Sequence, residues 1–510
     1  MTEPRRCGRR PEPETPAVEE RIDRSDARIP PLGDGGEGEQ THPGKRLDDV
    51  GCRHPALVGD DAAQVLAGRR VALVEQLLEP GEFGRGLFHG AQSDRPTVSG
   101  VTDSIPTKSA RRIEYAGSVH DEEEIDAVVE VLRGGATALR IGRNVRAFEA
   151  QVAELFGKRR GVMCNSGSSA LYLAVELLAL EPGDEIITSP VTFSTDLAPM
   201  ARSGLVPVFV DVEPDTFNID VEQIESAIGP RTKAILAPNL IGNAPDWDVI
   251  RRIADAHDLA VVEDSCDSLG STLRGTPTGT RSDISVTSFA LSHIITAMGT
   301  GGMVLLDDDA LLDRCLLLRR WGRRSEPQLF GSRRGVDTRF FSDVDGLEYD
   351  NLFIFDEVGW NFEPSEVSAA FGLVQLRKLP DNLARRQRNY ERLRTHFGTH
   401  PDVFALPRTL EGLETAWHLF PLVIRPESAV RRAEFQQHME RNGVDTRMVW
   451  TGNALRQPGF KHMDHRVAAG GVPNADRVME QGLVLPSNHA MDDNDVDYVC
   501  ATADAFLVAR

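Results

Sequence analysis

From about residue 111 the chain alternates short apolar runs with segments of helical period. "VPVFVDV" (206–212), "TKAILAPNL" (232–240) and "LAVVEDS" (259–265) are rich in β-branched side chains and bounded by turn residues. "DWDVIRRIADAHD" (246–258) repeats apolar side chains at helical spacing. Strands buried on both faces read as continuous apolar runs, and helices between them carry the chain back over the sheet. The pattern therefore predicts an α/β fold with a mostly parallel, doubly wound sheet, running to about residue 320. "GVMCNSGSSALYLAVELLALEPGDEIITSP" (161–190) reads as strand, turn, buried helix and strand. "HDEEEIDAVVEVLRGG" (120–135) and "NVRAFEAQVAELFG" (144–157) read as amphipathic helices.

Downstream, residues 363–397 form one long helical stretch, expected to break near Pro380 because proline lacks the N–H that the helix needs. The last part mixes strands and helices as a smaller α+β domain does. Upstream, residues 1–110 are rich in Arg, Gly, Pro and acid. "DDAAQVLAGRRVALVEQLLEPGE" (60–82) reads as a helix there, and the remainder reads as disordered. The expected division is a low-order extension over 1–110, a large domain over 111–390 and a small one over 391–510. "VTDSIPTKSARRIEYAG", beginning at Val101, has the look of a natural start, so the extension is either made or not made in the cell.

The net charge of −21 argues against a nucleic-acid surface. No apolar run reaches the ~18 residues of a membrane span, and the N-terminus has no apolar signal core. The six cysteines, Cys7, Cys52, Cys164, Cys266, Cys315 and Cys500, are scattered with no C-x-x-C pair. That spacing fits a reducing cytoplasm and offers neither a disulfide frame nor a metal site.

Three motifs could carry chemistry. Ser166-Gly167-Ser168-Ser169 lies between a strand and a buried helix, where unpaired N–H groups suit a phosphate; a plain serine N-cap is the alternative. Asp264 ends a strand, on the side where α/β sheets bind ligands, or it caps the next helix. "SFALSHIITAMGTGG" (288–302) places His293 five residues after Ser288 and before a glycine cluster. A lone histidine is equally a satisfied core residue.

Taken in order, "NSGSSA", "PVTFSTD", "VFVDVEPDTFNID", "RTKAILAPNLIGNAPD", "VVEDSCDSLGS", "SFALSHIITAMGTGG" and "GWNFEPSEVSAAFGLVQLRKL" resemble the DegT/DnrJ/EryC1/StrS family over about residues 110–505. These are pyridoxal-phosphate sugar aminotransferases of fold type I. The resemblance implies that Gly167, Ser168 and Ser288 contact the cofactor phosphate and that Phe193 stacks on its ring. It implies that Asp264 holds the ring nitrogen and that Asp267 stands where a Gln or His is usual. Asn361 would reach the phosphate of a neighbouring subunit, implying a homodimer with shared sites. His293 falls on the Schiff-base lysine. None of Lys45, Lys108, Lys158, Lys233, Lys378 and Lys461 matches a cofactor position, so the cofactor is expected to bind non-covalently, with no internal aldimine.

Histidine at this place resembles the branch of NDP-4-keto-6-deoxyhexose 3-dehydratases. "GVDTRMVWTGNALRQPGFKH" (443–462) and "VPNADRVMEQGLVLP" (472–486) resemble the same branch, so Asn453, Arg456 and His462 line the sugar site or are loop structure. The implied cofactor is pyridoxamine 5′-phosphate, interconverting with pyridoxal 5′-phosphate, and the implied substrate is a nucleotide sugar. A neutral imidazole suits a general base and forms no lasting imine. The CDP-sugar type of this branch carries an iron–sulfur cluster, yet residues 319–362 hold no cysteine, so no cluster is expected. The GDP-sugar type implies glutamate as amino donor, or the reaction stops at an unreduced product. Thr300 replaces a usual acid and Glu363 a usual basic residue, which bears on donor binding. The competing expectation is an aminotransferase-like homologue with altered or lost catalysis, acting as scaffold or cofactor binder.

Overall fold

The computed structural model describes residues 111–335 and 340–509. The extension over 1–110, with its expected helix and the start expected at Val101, lies outside the described residues.

The chain opens with α1 (Glu122–Arg133), held by a reciprocal capping box between Asp121 and Glu124, and α2 (Arg143–Leu155). The large sheet follows as β1 (Arg160–Cys164), α3 (Gly167–Leu177), β2 (Glu185–Thr188), α4 (Ser194–Arg202), β3 (Val206–Phe209), α5 (Val221–Ala227), β4 (Thr232–Pro238), α6 (Trp247–His257), β5 (Ala260–Asp264), β6 (Ile284–Ser288) and β7 (Gly302–Leu306). Its spatial order is β1-β7-β6-β5-β4-β2-β3, and only β7 runs against the others. The mostly parallel sheet expected from the strand–helix alternation is the one observed. Apolar side chains from both sheet faces meet helices on either side, which buries Val162, Leu236 and Val304 in one layer and Ile187, Val208 and Val261 in the other.

After α7 (Asp309–Arg319) an exposed hairpin, β8 (Phe341–Val344) and β9 (Leu347–Asp350), projects before the long helix α8 (Glu366–Phe397). The expected break at Pro380 does not occur: α8 is helical across it. Packing on both sides outweighs the one lost hydrogen bond. Leu376, Leu379 and Leu383 seat in one core, and Tyr390, Leu393 and Phe397 in the next. The same continuity puts the domain boundary expected at 390 inside a helix.

The C-terminal region is built on β10 (Phe420–Ile424) and β12 (Gly482–Leu485), which pair antiparallel, with α9 (Asp493–Val508) packed behind. Between them, β11 (Arg466–Val467) leaves this region and joins β3 at the edge of the large sheet.

Candidate active site

The site forms where the carboxyl ends of β1, β5 and β6 meet the start of β7. In α/β sheets this end is where ligands bind, because the following helices point their N-termini there. Cys164 and Ser288 both pair with Gly302, so the ends of β1 and β6 lie one strand apart. A Cβ on Gly302 would lie 2.2 Å from the Ser166 carbonyl, and one on Gly167 would lie 2.6 Å from Ser288 Cβ. Only glycine allows these three segments to converge.

Ser166 caps α3, its Oγ accepting from the Ser169 N–H at 3.1 Å. The serine-cap reading and the phosphate reading are therefore compatible: the cap uses one N–H, and helix geometry leaves those of Gly167 and Ser168 without intrahelical acceptors. Thr300, in place of the usual acid, donates its hydroxyl to the Asn165 carbonyl at 2.6 Å and ties the glycine cluster to this turn.

A cavity of about 280 Å³ opens over this turn, lined by Gly167, Ser168, Phe193, Asp264, Asp267, Ser288 and His293, all singled out in the sequence. It is lined as well by His418, Trp450, Cys266 and Tyr115. No lysine lines it among the described residues. Lys158 is buried elsewhere against Asp307, and Lys378 pairs with Asp121 and Glu124. The glycine-tightened helix N-terminus, the Ser288 hydroxyl and a buried carboxylate at the opposite wall fit a phosphorylated pyridine.

The carboxylate wall has an unexpected depth. Asp264 accepts from the Cys266 N–H at 2.9 Å and lies against Asp196, which the first turn of α4 carries. Burial pushes Asp196 well above the usual carboxylate range, and the charge of Asp264 pushes it further. Asp196 Oδ2 accepts from the Thr192 hydroxyl. Burial raises Asp264 too, partly offset by Cys266 and by Asp196, so of the two acids Asp196 is the one pushed furthest toward keeping its proton. Asp196 went unnoticed in the sequence because an acid in a helix's first turn is ordinary there.

Asp267 is buried, its Oδ2 accepting from the Ile241 N–H (3.0 Å) and the Trp450 indole N–H (2.8 Å). Its Oδ1 faces two imidazoles, with Nδ1 of His418 at 3.4 Å and Nδ1 of His293 at 3.8 Å. Burial, with Asp264 nearby, pushes Asp267 up to about 7. Burial lowers His293 to about 4, partly offset by the Cys266 carbonyl and reinforced by the Arg386 charge. His293 Nδ1 is sealed from solvent and makes no hydrogen bond of good geometry, and the ring lines the cavity.

A second hollow of about 570 Å³ shares Tyr115, Phe193 and Trp450 with the first and adds Arg447, Gln457 and Phe460. Phe193 is half exposed here, edge-on to Trp450 with ring centroids 6.0 Å apart.

Residues 118–504 match the DegT/DnrJ/EryC1/StrS aminotransferase family. The chain belongs to this family. Among its relatives, the dTDP-4-dehydro-2,6-dideoxy-D-glucose 3-dehydratase of Saccharopolyspora spinosa is 35% identical, covering 82% of this chain and 90% of that protein. The GDP-4-keto-6-deoxy-D-mannose 3-dehydratase of Yersinia pseudotuberculosis is 33% identical, covering 74% and 94%. A crystal structure of GDP-4-keto-6-deoxymannose-3-dehydratase with a trapped PLP-glutamate geminal diamine superposes with a TM-score of 0.68 at 31% identity, covering 76% of this chain and 99% of that one.

Four family-matched residues stand apart from the cavity. Asn361 is exposed beyond it, accepting from the Glu363 N–H at 3.2 Å, while Glu363 pairs with Arg320 at 3.0 Å. Asn453 and Arg456 both turn to Asp476, at 2.6 Å each, and the Asn453 side chain also caps a short 3₁₀ turn. His462 is exposed. The structure does not bring these last three into either hollow: the Asp476 carboxylate takes the Asn453 and Arg456 side chains, and His462 stays at the surface. Neither His418 nor Trp450 stood out in the sequence: one precedes β10 and the other follows a loop, each more than 120 positions from His293.

Proposed function

We propose that this chain is a sugar-nucleotide 3-dehydratase that removes the C3 hydroxyl of a nucleotide-linked 4-keto-6-deoxyhexose in deoxysugar biosynthesis. One observation carries the reading: a phosphate cradle and a ring-nitrogen acid are kept, while the position facing them holds His293 in a cavity lined by no described lysine.

When bound, pyridoxamine phosphate supplies an amine that condenses with the C4 ketone and a ring that takes up electrons. The amides of Gly167 and Ser168 and the Ser288 hydroxyl would hold its phosphate. Asp264, beside Asp196, would face the ring nitrogen and hold a proton there. Phe193 and Trp450 exclude water from the mouth. His293, kept neutral by burial, would take the proton from C4′ through Nε2 and return it to the departing C3 hydroxyl, which would leave as water. Without a lysine the cofactor binds non-covalently. Absence of an iron–sulfur cluster is supported by the cysteine-free stretch 319–362, and glutamate as donor then restores the amine.

The enzyme works as a cytoplasmic homodimer with shared sites. The arm around β8 and β9 supports the dimer, since Phe341, Leu347, Tyr349, Phe353 and Phe355 are exposed and Val358 is 93% exposed. Among the described residues no helix is long and apolar enough to cross a membrane.

The test is a panel of GDP-, CDP- and dTDP-linked 4-keto-6-deoxyhexoses with pyridoxamine phosphate in deuterated solvent. Loss of the C3 oxygen with solvent label in the sugar is the expected outcome. A lysine adduct trapped by borohydride, or turnover that releases only amino sugar, would overturn the reading.

A further inference from the structure

His418 is 1% exposed, and neither ring nitrogen makes a hydrogen bond of good geometry. Buried polar atoms normally find partners, so an imidazole left this way calls for a reason. Its surroundings hold it firmly. The His418 N–H donates to the Ile241 carbonyl at 2.9 Å, and the His418 carbonyl accepts from the buried Arg386 guanidinium at 2.9 Å. Ile241 has φ +57°, a strained conformation for a β-branched residue. Gly242 beside it has φ +93°, and a Cβ there would lie 2.8 Å from the His418 nitrogen. Strained backbone persists only where the surrounding structure over-determines it, and what this stretch holds in place is a ring against Asp267.

Asp267 connects that ring to His293. Both acceptor directions of its Oδ2 are taken, by Ile241 and Trp450. Oδ1 is left for the two imidazoles, and the His418 ring stands edge-on to His293 with centroids 5.3 Å apart. On its other side His418 meets Trp450 edge-on at 5.7 Å. His418 thus blocks rotation of His293 on one side and presents Nδ1 to the oxygen that His293 Nδ1 also faces.

We propose that His418 is a positioning residue, which through Asp267 holds His293 with Nδ1–H turned inward and Nε2 free toward the cavity. The inference rests on the dehydratase reading only for its kinetic arm. His418→Phe keeps a ring of similar bulk and removes the donor. It should lower kcat about 10- to 100-fold, the cost of a misplaced reacting group, with KM for the sugar nucleotide and affinity for pyridoxamine phosphate unchanged. His418→Asn puts a donor back near the Nδ1 place and should recover part of the loss. Combined with Asp267→Asn, His418→Phe should cost no more than Asp267→Asn alone, since the two act in series. Multiplying losses, or an equal loss in the Asn and Phe variants, would overturn the proposal.

A second readout needs no turnover. In full-length chain labelled with ¹⁵N-histidine, the His293 resonances, assigned by their loss in His293→Asn, should report one tautomer in the parent and a mixture in His418→Phe. An unchanged tautomer overturns the positioning role. A changed tautomer in a protein that converts no sugar nucleotide removes the proposed reaction and keeps the role. If His418→Phe does not fold, the same cycle is run with His418→Asn, where coupling to Asp267→Asn decides.

Discussion

At the scale of single residues, burial sets the protonation of the site's titratable groups. Burial raises both Asp196 and Asp264, Asp196 the more strongly, and it lowers His293 and His418, with the Arg386 charge adding to both. His293→Asn should therefore abolish dehydration, by at least about a hundredfold for a lost general base, while cofactor binding by equilibrium dialysis stays intact. Asp196→Asn keeps a donor toward Asp264 and should be milder than Asp196→Ala, a difference read in the same assay. The acid response follows from linkage. The folded chain holds His293 at about 4 against an ordinary 6.5, so its unfolded form binds the proton first as pH falls. Its stabilising effect is full above about pH 6.5 and fades toward pH 4. Asp267, raised to about 7, acts in the opposite sense: its effect is full below the ordinary carboxylate range and fades as pH rises through 7. Comparing cofactor-free wild type with His293→Asn isolates the histidine. By urea unfolding, wild type should lose about 3 kcal/mol more than the variant between pH 6.5 and 4, at 1.36 kcal/mol per pKa unit.

At the scale of elements, the site depends on close approaches that only particular residues permit. A Gly167→Ala change places a methyl group 2.6 Å from Ser288 Cβ, so α3 and β6 must part. Affinity for pyridoxamine phosphate should fall at least about tenfold, the effect of losing roughly one charge-assisted hydrogen bond, and dialysis checks it. A different device holds α2, whose own N-cap residue is Gly142 without a side chain. The buried Glu366 carboxylate at the start of α8 accepts from the N–H groups of Gly142 (2.9 Å), Asn144 (2.7 Å) and Val145 (3.2 Å). Glu366→Ala should destabilise the chain by about 2 kcal/mol in urea unfolding, since three donors lose their acceptor at once. Sequence pattern could not show this cap, because its two halves lie more than 200 positions apart. The unbroken α8 has a similar cause. Local propensity predicts a stop at Pro380, and two hydrophobic cores along one helix outweigh it.

At the scale of the whole molecule, the C-terminal region completes the site. Trp417 stacks on Tyr390 at 4.4 Å and so anchors the strand entry that delivers His418. Among the described residues, the arm of β8 and β9 carries a group of exposed large apolar side chains. Sedimentation velocity should show a dimer, and Phe341→Asp with Leu347→Asp should shift it to monomer and reduce turnover. A dimer of undiminished mass in that variant would show that the copies meet elsewhere.

Sequence alone determined the sheet, since strand–helix alternation with continuous apolar runs has few solutions, and β7 was its only reversed strand. It also put Gly167, Ser168, Asp264, Ser288 and His293 in reach of one another, because each sits at the same end of a parallel strand or in the helix or loop that follows it. Tertiary structure decided the rest. Asp196 became a proton holder only through burial beside Asp264. His418 and Trp450 met Asp267 only because a distant region folds over the sheet, and Asn453 and Arg456 turned to Asp476 instead. Spacing along a chain records which residues share a strand end. Burial and long-range contact set the charge each carries, and those form only when the whole chain closes around them.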